Sequence, residues 1–313
     1  MRRGILLAGG SGSRLAPITK VLNKHLLPVH NKPVIYYSLS VLMLAGMREI
    51  LVISSAKSLP LFEELLGDGA HLGLSFSYAA QDEPRGIAES LLIARDFLAG
   101  GPSALMLGDN LIFGDGLVRQ LRAASSRTEG ATIFAYPVLD PSAFGVVELD
   151  EAGKPVSLRE KPKRPRSNLA VPGLYFYDGE APEIAASCTP SKRGELEITD
   201  VNRAYLDRGR LSVTLFGRGY AWLDTGTPEA LNEAAEFVRT LEERQGLMIG
   251  SPEEVAWRNG WIGSEALLRL GEEAGATRYG EYLRHLGSAG RADQVGIHLP
   301  DRFPDAECDE EEG

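Results

Sequence analysis

The stretch Gly4-Ile5-Leu6-Leu7-Ala8-Gly9-Gly10-Ser11-Gly12-Ser13-Arg14-Leu15 joins a short apolar run to a loop that is rich in glycine. The apolar residues 5–8 predict a buried strand, and the glycines let consecutive backbone N–H groups turn toward one point. Arg14 adds a fixed positive fork that suits phosphate oxygens. The stretch therefore predicts an anion-binding loop, although an ordinary glycine-rich turn fits the same short pattern.

The loop differs from two common phosphate-binding motifs. A dinucleotide fingerprint needs a glycine three positions after Gly12, where this chain has Leu15. A Walker A loop needs Gly-Lys-Ser/Thr after four spacer residues, and the sequence has no such run. We therefore expect any phosphates to be held by a different arrangement.

Composition indicates a globular protein with small-molecule rather than nucleic-acid partners. The 313 residues are 43% hydrophobic and 24% charged, and the formal net charge is −10. Such a charge disfavours binding to nucleic acid or to anionic membranes. Two cysteines, Cys188 and Cys308, predict neither a disulfide framework nor a cysteine metal site. We expect a cytoplasmic protein, because the apolar runs are too short for a signal peptide or membrane span.

Strands and helices alternate over the first third of the chain. The predicted strands are residues 5–8, 49–54, 74–78 and 104–107, and the predicted helical segments are 34–45, 58–67 and 87–98. This alternation indicates a mainly parallel sheet covered on both faces, in which ligands bind at the carboxyl ends of strands. The glycine-rich loop and Asp109 both follow such ends, so we expect them to share one site.

From residue 131 the pattern changes to strands with little helix between them. These strands are predicted over residues 131–136, 144–149, 156–159 and 173–177, and we interpret them as an antiparallel extension of the same sheet. A helix over 196–207, a strand over 212–216 and the run 220–224 follow. Capping signals at Thr227 and Ser251 begin two more helices, and short helices are predicted over 264–272 and 277–286.

Two aspartates at strand ends, Asp109 and Asp224, are the candidate metal ligands. Magnesium is usually held by one or two carboxylates together with substrate phosphates, although aspartate is also common at turns and helix caps. The candidate phosphate-binding cations are Arg14, Lys24, Lys161 and Arg193. No Ser/His/Asp or Cys/His pattern stands out, so we expect a reaction without a covalent protein intermediate.

A resemblance to one known family extends from residue 4 to about residue 286, and eight segments within this range recur in the family's order and spacing. They are LAGGSGSRL (7–15), KPVIYY (32–37), LGDN (107–110), FGVVE (144–148), EKP (160–162), GLYFY (173–177), RGELEITD (193–200) and GRGYAWLDTGT (217–227). Through them the chain resembles the glucose-1-phosphate thymidylyltransferases of the sugar-nucleotide pyrophosphorylase family.

The resemblance implies a Mg²⁺-dependent reaction of dTTP with glucose 1-phosphate that yields dTDP-glucose and pyrophosphate by direct attack on the α-phosphorus. It implies an α/β fold: a Rossmann-like mixed, mainly parallel sheet flanked by helices (nucleotide-diphospho-sugar transferase type), with an antiparallel extension and C-terminal helices. We expect a nucleotidyltransferase domain with a sugar-binding insertion over residues 1–245, a helical subregion over 246–286 and a flexible acidic tail over 287–313. A homo-oligomer, by resemblance a tetramer, is also implied.

The resemblance further implies roles for individual residues. The nucleotide would be bound by Leu7, Gly9, Gly10, Gly12, Ser13, Arg14, Gln81, Gly86 and Asp109. The sugar phosphate would be bound by Gly145, Glu160, Lys161, Tyr175 and Arg193. Catalysis would depend on Arg14, Lys24, Lys161 and Asp109, and Mg²⁺ would be held by Asp109 and Asp224. Glu254 and Arg258 would belong to a regulatory nucleotide site, in which Asp115 and Val118 replace the histidines of many members.

Two other functions remain open at this point. The same chemistry could use UTP, because a difference of one methyl group supplies only ~1–3 kcal/mol of discrimination. A non-catalytic nucleotide-sugar sensor would be expected to lack part of the constellation, whereas Arg14, Asp109, Lys161 and Asp224 are all present. We expect no acetyltransferase domain, because the sequence shows no hexapeptide repeats.

Overall fold

A mixed sheet of ten strands forms the centre of the fold. The computed structural model describes residues 2–10 and 12–289. The strands in this part of the chain are β1 (Arg3–Leu7), β2 (Pro28–Val29), β3 (Lys32–Pro33), β4 (Glu49–Ser54), β5 (Ser75–Ala80), β6 (Ser103–Leu107), β7 (Asn110–Gly114), β8 (Ala131–Pro137), β9 (Gly145–Leu149), β10 (Pro155–Glu160), β11 (Leu169–Ala170), β12 (Leu174–Tyr177), β13 (Leu211–Leu215) and β14 (Tyr220–Asp224).

The helices cover both faces of this sheet and form the C-terminal part of the described chain. They are α1 (Val34–Leu44), α2 (Leu59–Leu66), α3 (Glu89–Ile93), α4 (Arg95–Leu98), α5 (Leu117–Ser126), α6 (Ala181–Ser187), α7 (Ile198–Asp207), α8 (Pro228–Gln245), α9 (Pro252–Arg258), α10 (Ser264–Glu273) and α11 (Arg278–Ala289).

The sheet is parallel around β1 and mostly antiparallel beyond β6. β1 lies between β4 and β6, which both run parallel to it, and β5 pairs in parallel with β4. β12 is antiparallel to both β6 and β8, and β11, β9 and β10 continue this direction to the far edge. β13 returns parallel to β8. The predicted Rossmann-like mixed sheet is confirmed, and the strands after residue 131 belong to the same sheet.

Alternate residues of β1 enter two different hydrophobic cores. Leu6 packs on the face covered by α1, whereas Ile5 packs on the face covered by α3 and α6. Side chains of a strand alternate between faces, so a strand that is covered on both sides must be apolar at every position. This explains why residues 5–8 form an unbroken apolar run, and it leaves the strand ends as the place for polar groups.

Residues 110–130, for which the sequence pattern predicted no element, contain β7 and α5. Leu117, Leu121 and Ala124 are buried at helical spacing and could have predicted α5. β7 pairs with β14, outside the main sheet, and this pairing brings Asn110 opposite Asp224. The helix predicted over residues 87–98 is divided at Ala94 into α3 and α4, although its apolar face is continuous.

The C-terminal helices follow the predicted capping signals. Thr227 caps α8 by accepting a bond from the Ala230 N–H (3.2 Å), and Ser251 caps α9 through the Glu254 N–H (3.3 Å). α11 continues to Ala289, so residues 287–289 are helical and do not form part of a tail. The rest of the predicted tail lies outside the described residues. No helix within residues 2–10 and 12–289 combines the length and apolarity needed to cross a membrane.

Candidate active site

Two cavities meet at the carboxyl ends of the parallel strands. Their volumes are about 230 Å³ and about 220 Å³, and both are lined by Gly9, Gly10, Lys24, Gln81 and Pro84. These residues follow β1 and β5 or lie in the short turn at Lys24–Leu26. The second cavity also has Asp109, which follows β6. The strand ends therefore bring the glycine-rich loop and Asp109 together, as the alternation of elements predicts.

The glycine-rich loop needs glycine at the positions that turn it. Gly10 and Gly12 have φ of 92° and 59°, a left-handed region that disfavours other residues. The turn after it is held by Thr19, whose Oγ1 donates to the Gly12 carbonyl (2.8 Å). Arg14 follows in an exposed helical turn, and Ser13 beside it is also exposed. The loop thus presents backbone and a guanidinium toward solvent rather than side-chain bulk.

Lys24 and Asp109 form an ion pair at the junction of the cavities. Lys24 Nζ bonds Asp109 Oδ2, and the two side chains are 15% and 13% exposed. Asn110 Nδ2 donates to the other oxygen, Asp109 Oδ1 (3.0 Å). Burial alone raises the pKa of Asp109, but the Lys24 ammonium outweighs burial and holds this pKa well below its usual range. Asp109 is therefore ionised.

The buried Asn110 side chain fixes the position of the Asp109 carboxylate. Its Oδ1 accepts bonds from the Gly173 N–H (2.9 Å) and from Trp222 Nε1 (2.7 Å). Both partners are donors, so the Nδ2 group must point to Asp109. Asn110 is only 4% exposed, and its amide joins β7, β14 and the turn before β12. The carboxylate of Asp109 is consequently held by three neighbouring elements.

Asp224 lies beside Asp109 because β14 pairs with β7. The Thr225 N–H and Oγ1 both donate to the Asp109 carbonyl, at 3.1 Å and 3.0 Å. Burial, and then the nearby Asp109 carboxylate, raise the pKa of Asp224 above its usual range. A Cβ on Gly226 would lie 2.8 Å from Arg14 Nη2 and 3.0 Å from Asp224 Oδ1. Glycine at this position lets Arg14 approach Asp224.

The two carboxylates suit a metal ion that shares its ligands with phosphate. Across the residues that the structure describes, no group of three or more His, Cys, Asp or Glu side chains is arranged to hold a metal. Asp109 and Asp224 offer the one or two carboxylates with which Mg²⁺ is commonly bound, the other positions being filled by water and phosphate oxygens. Since Lys24 is bonded to one oxygen of Asp109, a metal ion there must compete with this ammonium.

His25 lines the second cavity as a neutral side chain. Burial, followed by the Lys24 ammonium, lowers the pKa of His25 to about 3. Its Nδ1 lies 2.7 Å from Asn23 Oδ1, while Asn23 Nδ2 donates to the Ala8 carbonyl (3.2 Å). Oδ1 can only accept, so Nδ1 carries the proton and Nε2 is an acceptor. A histidine with this pKa is poorly suited to act as a general base near neutral pH.

Gln81 lines both cavities, and Gly86 lines the second one. The Gln81 side chain is buried, and its Nε2 donates to Glu89 Oε2 (2.8 Å) and to the Gly86 carbonyl (3.3 Å). Gly86 has φ of 109°, and a Cβ there would lie 2.3 Å from the Leu196 carbonyl oxygen. Only glycine lets this loop pack against the Leu196 backbone.

Glu160, at the end of β10, is the centre of a second polar cluster. It accepts a bond from Thr199 Oγ1 at 2.5 Å. A Cβ on Gly145 would lie 3.2 Å from this hydroxyl and 3.5 Å from Glu160 Oε2, so the glycine leaves the carboxylate room. Lys161 Nζ is 3.8 Å from Glu160 Oε1, and Lys161 adopts the left-handed φ of 42°. For a lysine this backbone conformation is strained.

Arg193 belongs to the same cluster and is surrounded by carboxylates. Its Nη2 lies 2.9 Å from both oxygens of Glu197, 3.1 Å from Glu195 and 3.6 Å from Glu160. Burial lowers the pKa of Arg193, but the bond and charge of Glu197, together with Glu195 and Glu160, outweigh burial and raise this pKa. Glu195 also lines the second cavity together with Asp109, so the Glu160 cluster adjoins that cavity.

Tyr175 lies between the two clusters. It is 4% exposed, and burial raises the pKa of its hydroxyl above the usual range. The carboxylates of Glu160 and Asp109 raise this pKa further, since both are near the ring. Tyr175 therefore stays neutral and can act as a hydrogen-bonding group between the two regions.

Glu254 and Arg258 come together on α9 and line neither cavity at the strand ends. Arg258 Nε donates to Glu254 Oε1 (2.6 Å), and the Tyr282 hydroxyl donates to Glu254 Oε2 (2.7 Å). Both oxygens of Glu254 are thus used within the chain. The regulatory role that the resemblance implies for this pair stays a prediction.

Several residues that were not predicted to belong to the site contact the predicted ones. Among them are Glu89, Asn110, Thr199 and Thr225. Asn110 and Thr225 each follow a predicted aspartate directly, so their adjacency was a usable signal. Glu89 and Thr199 contact their partners only through the fold, and no periodicity indicates such a contact.

Comparison with known proteins relates this arrangement to a family of enzymes. Residues 3–240 match the family model for nucleotidyl transferases. Over 289 residues the chain is 55% identical to a glucose-1-phosphate thymidylyltransferase of Xanthomonas campestris pv. campestris, covering 92% of this chain and 98% of that protein. Over 284 residues it is 54% identical to the glucose-1-phosphate thymidylyltransferase of Mycolicibacterium smegmatis, covering 91% and 98%.

Solved structures share the fold. A Bacillus anthracis protein assigned as a glucose-1-phosphate thymidylyltransferase, in complex with sucrose, superposes with a TM-score of 0.71 and 39% identity, covering 76% of this chain and 96% of that one. A UDP-glucose pyrophosphorylase complexed with UDP-glucose gives a TM-score of 0.67 and 26% identity, covering 77% and 99%. The predicted fold class and family are confirmed by these similarities.

Proposed function

Because the chain belongs to the nucleotidyl transferase family, and within it to the glucose-1-phosphate thymidylyltransferases, we propose that it converts dTTP and glucose 1-phosphate into dTDP-glucose and pyrophosphate. The observation that carries this proposal is the meeting of a glycine-rich loop, Lys24 and two carboxylates at the ends of β1, β6 and β14. A polyphosphate needs backbone donors and cations, and phosphoryl chemistry needs its charge neutralised.

The nucleotide occupies the two cavities around Gly9 and Gly10 in this proposal. Backbone N–H groups of the glycine-rich loop and the exposed Arg14 bind the triphosphate. Lys24 leaves Asp109 and turns to the phosphate that departs, while Gln81 and Gly86 contact the base. Leu7, which also lines the second cavity, supplies an apolar wall.

Glucose 1-phosphate binds at the Glu160 cluster. Tyr175 is buried and Glu160 is partly buried, so both can hydrogen-bond sugar hydroxyls with limited competition from water, and Gly145 leaves space beside Glu160. Lys161 and Arg193 bind the sugar phosphate, since a lysine and a bidentate arginine together match its charge. Arg193 is pre-positioned by Glu197 and its neighbours.

We assign a magnesium site to Asp109 and Asp224, supported by the pairing of β14 with β7 that brings them together and by the effect of the Asp109 charge on the pKa of Asp224. When bound, the metal would neutralise developing negative charge on the phosphates. Asn110 and Thr225 hold Asp109 in place for this role.

The reaction is a direct displacement. An oxygen of the sugar phosphate forms a bond to the α-phosphorus, while the bond from the α-phosphorus to the bridging oxygen breaks and pyrophosphate leaves with that oxygen. The attacking oxygen is already ionised near neutral pH, so no general base is needed, consistent with the neutral His25. Positioning both substrates supplies up to about 7–11 kcal/mol of the barrier reduction.

A second candidate substrate is UTP. It is favoured by the similarity to a UDP-glucose pyrophosphorylase and by a Gln81 contact that both pyrimidines can make. The relatives with the higher identities, however, are thymidylyltransferases, so we propose dTTP as the preferred substrate. We also propose that the protein acts in the cytoplasm and that it forms a homo-oligomer, by family resemblance a tetramer. Light scattering on the purified protein tests the oligomeric state directly.

Chromatographic identification of the product tests the proposal. The native protein should form dTDP-glucose from dTTP and glucose 1-phosphate, and dTDP-glucose should be absent when either substrate is omitted. Lys161→Met should raise the KM for glucose 1-phosphate about tenfold or more, whereas Lys163→Met, the same exposed charge two positions away, should leave it unchanged. A folded protein that binds dTTP without forming product would instead support the sensor function.

A further inference from the structure

The amide of Gln81 is held in a single orientation. Its Nε2 lies 2.8 Å from Glu89 Oε2 and 3.3 Å from the Gly86 carbonyl oxygen. An ionised carboxylate and a backbone carbonyl can only accept hydrogen bonds. The part of the Gln81 amide that faces them must therefore be the NH₂ group. In the reverse orientation the amide oxygen would face two acceptor oxygens with no hydrogen atom between them. With an exposure of 6%, the side chain has little water to compensate such a reversal.

The carbonyl oxygen of Gln81 consequently faces the cavities. A Cβ on Gly9 would lie 2.7 Å from Gln81 Oε1, so this oxygen points across the glycine-rich loop. Gly9 and Gln81 line both cavities, so the oxygen that faces Gly9 is on the side of Gln81 where the cavities lie. Within residues 2–10 and 12–289, the hydrogen bonds of the Gln81 side chain involve Nε2. Oε1 is thus an acceptor offered to a ligand.

Glu89 is itself held firmly. Its side chain is 12% exposed at the start of α3, and its second oxygen, Oε1, lies 3.0 Å from Arg85 Nε. One oxygen therefore meets Arg85 and the other meets Gln81. This division keeps the carboxylate from rotating away from the amide.

We infer that Glu89 is a positioning residue that sets the base specificity of the site, by holding Gln81 with its oxygen toward the nucleotide. An acceptor there selects a base that presents a ring N–H, such as N3–H of thymine or uracil. It disfavours cytosine, whose N3 is itself an acceptor. The inference rests on the proposed function, which assigns Gln81 to the base. It also implies that this contact does not separate dTTP from UTP.

The test compares binding of dTTP and dCTP by isothermal titration calorimetry. The native protein should favour dTTP by about 100-fold or more, because a site built for a hydrogen bond rejects an analogue that cannot form it. Glu89→Met removes the acceptor at similar length and should reduce the preference about tenfold. Glu89→Lys places a donor beside Gln81 and should reduce the preference for dTTP further. The Gln81 amide can then turn its oxygen toward the introduced ammonium and its NH₂ group toward the nucleotide.

Glu83→Met is the matched control. It removes the same charge from the loop that precedes α3, but Glu83 is exposed and its substitution should leave the preference within about twofold of native. Circular dichroism verifies that each variant folds. If Glu89→Met does not fold, Glu89→Gln takes its place, because its amide can present either an oxygen or an NH₂ to Gln81 and should lower the preference.

The outcomes separate this inference from the proposed function. A dTTP preference that is unchanged in all folded Glu89 variants would overturn the inference, as would a native protein that binds both nucleotides equally. Gln81→Ala should weaken dTTP binding about tenfold, and if it does not, the base contact on which the inference rests is wrong. The proposed function is tested separately by product formation, which these binding measurements do not require.

Discussion

Replacing Lys32 by methionine is expected to destabilise the protein by about 3–5 kcal/mol, because it leaves a buried carboxylate without its cation. The side chains of Lys32 and Glu242 are 1% and 3% exposed, and Nζ lies 2.8 Å from Oε1. Burial lowers the pKa of Lys32, while Glu242 opposes this effect. The pair joins β3 to α8, so its loss should be felt across that contact.

The size of the effect comes from charge rather than from lost packing, since methionine fills a similar volume. Glu242 also accepts bonds from Asn31 Nδ2 (3.0 Å) and from the Ile249 N–H (2.9 Å). These donors remain in the variant but do not neutralise the carboxylate. The double variant Lys32→Met/Glu242→Gln removes both charges and keeps an oxygen for these donors. Its expected destabilisation is therefore only about 1–2 kcal/mol.

Urea and thermal unfolding of the single and double variants measure these differences. The single variant should lower Tm by about 5–8 °C. Lys154→Met, at an exposed position, is the control and should change stability by less than about 0.5 kcal/mol. The reasoning is refuted if Lys32→Met stays within about 1 kcal/mol of native, or if the double variant is as unstable as the single one.

Three further variants probe the site. Asp109→Asn should fold normally but lose turnover about 100-fold or more, because charge rather than shape binds the metal and Lys24. The pKa of His25 is about 3 in the folded protein and ~6.5 in the unfolded chain. Between pH 6.5 and 5.5 only the unfolded chain takes up a proton on this histidine, so the free energy of unfolding should fall by about 1 kcal/mol. His25→Gln should remove that part of the pH dependence. Gly226→Ala should displace Arg14 from Asp224 and lower kcat/KM for dTTP about tenfold.

Each of these predictions has a direct check. Turnover of Asp109→Asn in Mg²⁺ buffer near the native rate would show that the metal assignment is wrong. Urea titrations between pH 5 and 7 compare His25→Gln with native, and parallel curves would contradict a buried neutral histidine. For Gly226→Ala, an unchanged kcat/KM would mean that Arg14 does not contact the nucleotide.

The sequence predicted the part of the site that depends on strand ends. Gly9 and Asp109 follow adjacent parallel strands, and the alternation of apolar strands with helices indicates that such ends meet. The buried run of α1 and the caps of α8 and α9 were predictable for the same reason, because each is a local pattern. Local patterns specify an element and its ends.

The other features of the site and of the buried ion pair depend on contacts between segments that are distant in the sequence, and no local pattern specifies such contacts. Asp224 meets Asp109 only because β14 pairs with β7, a pairing outside the main sheet. Lys32 finds Glu242 more than two hundred positions away, and a single lysine in the sequence looks like an ordinary surface charge. Likewise, only the fold reveals that Glu89 orients Gln81.

The most direct test of the central claim is release of pyrophosphate by the purified protein, with glucose 1-phosphate, Mg²⁺ and either dTTP or UTP in parallel reactions. We predict release that requires both the nucleotide and the sugar phosphate and that is faster with dTTP. Release that does not depend on glucose 1-phosphate, or no release from a folded protein that binds dTTP, would contradict the account.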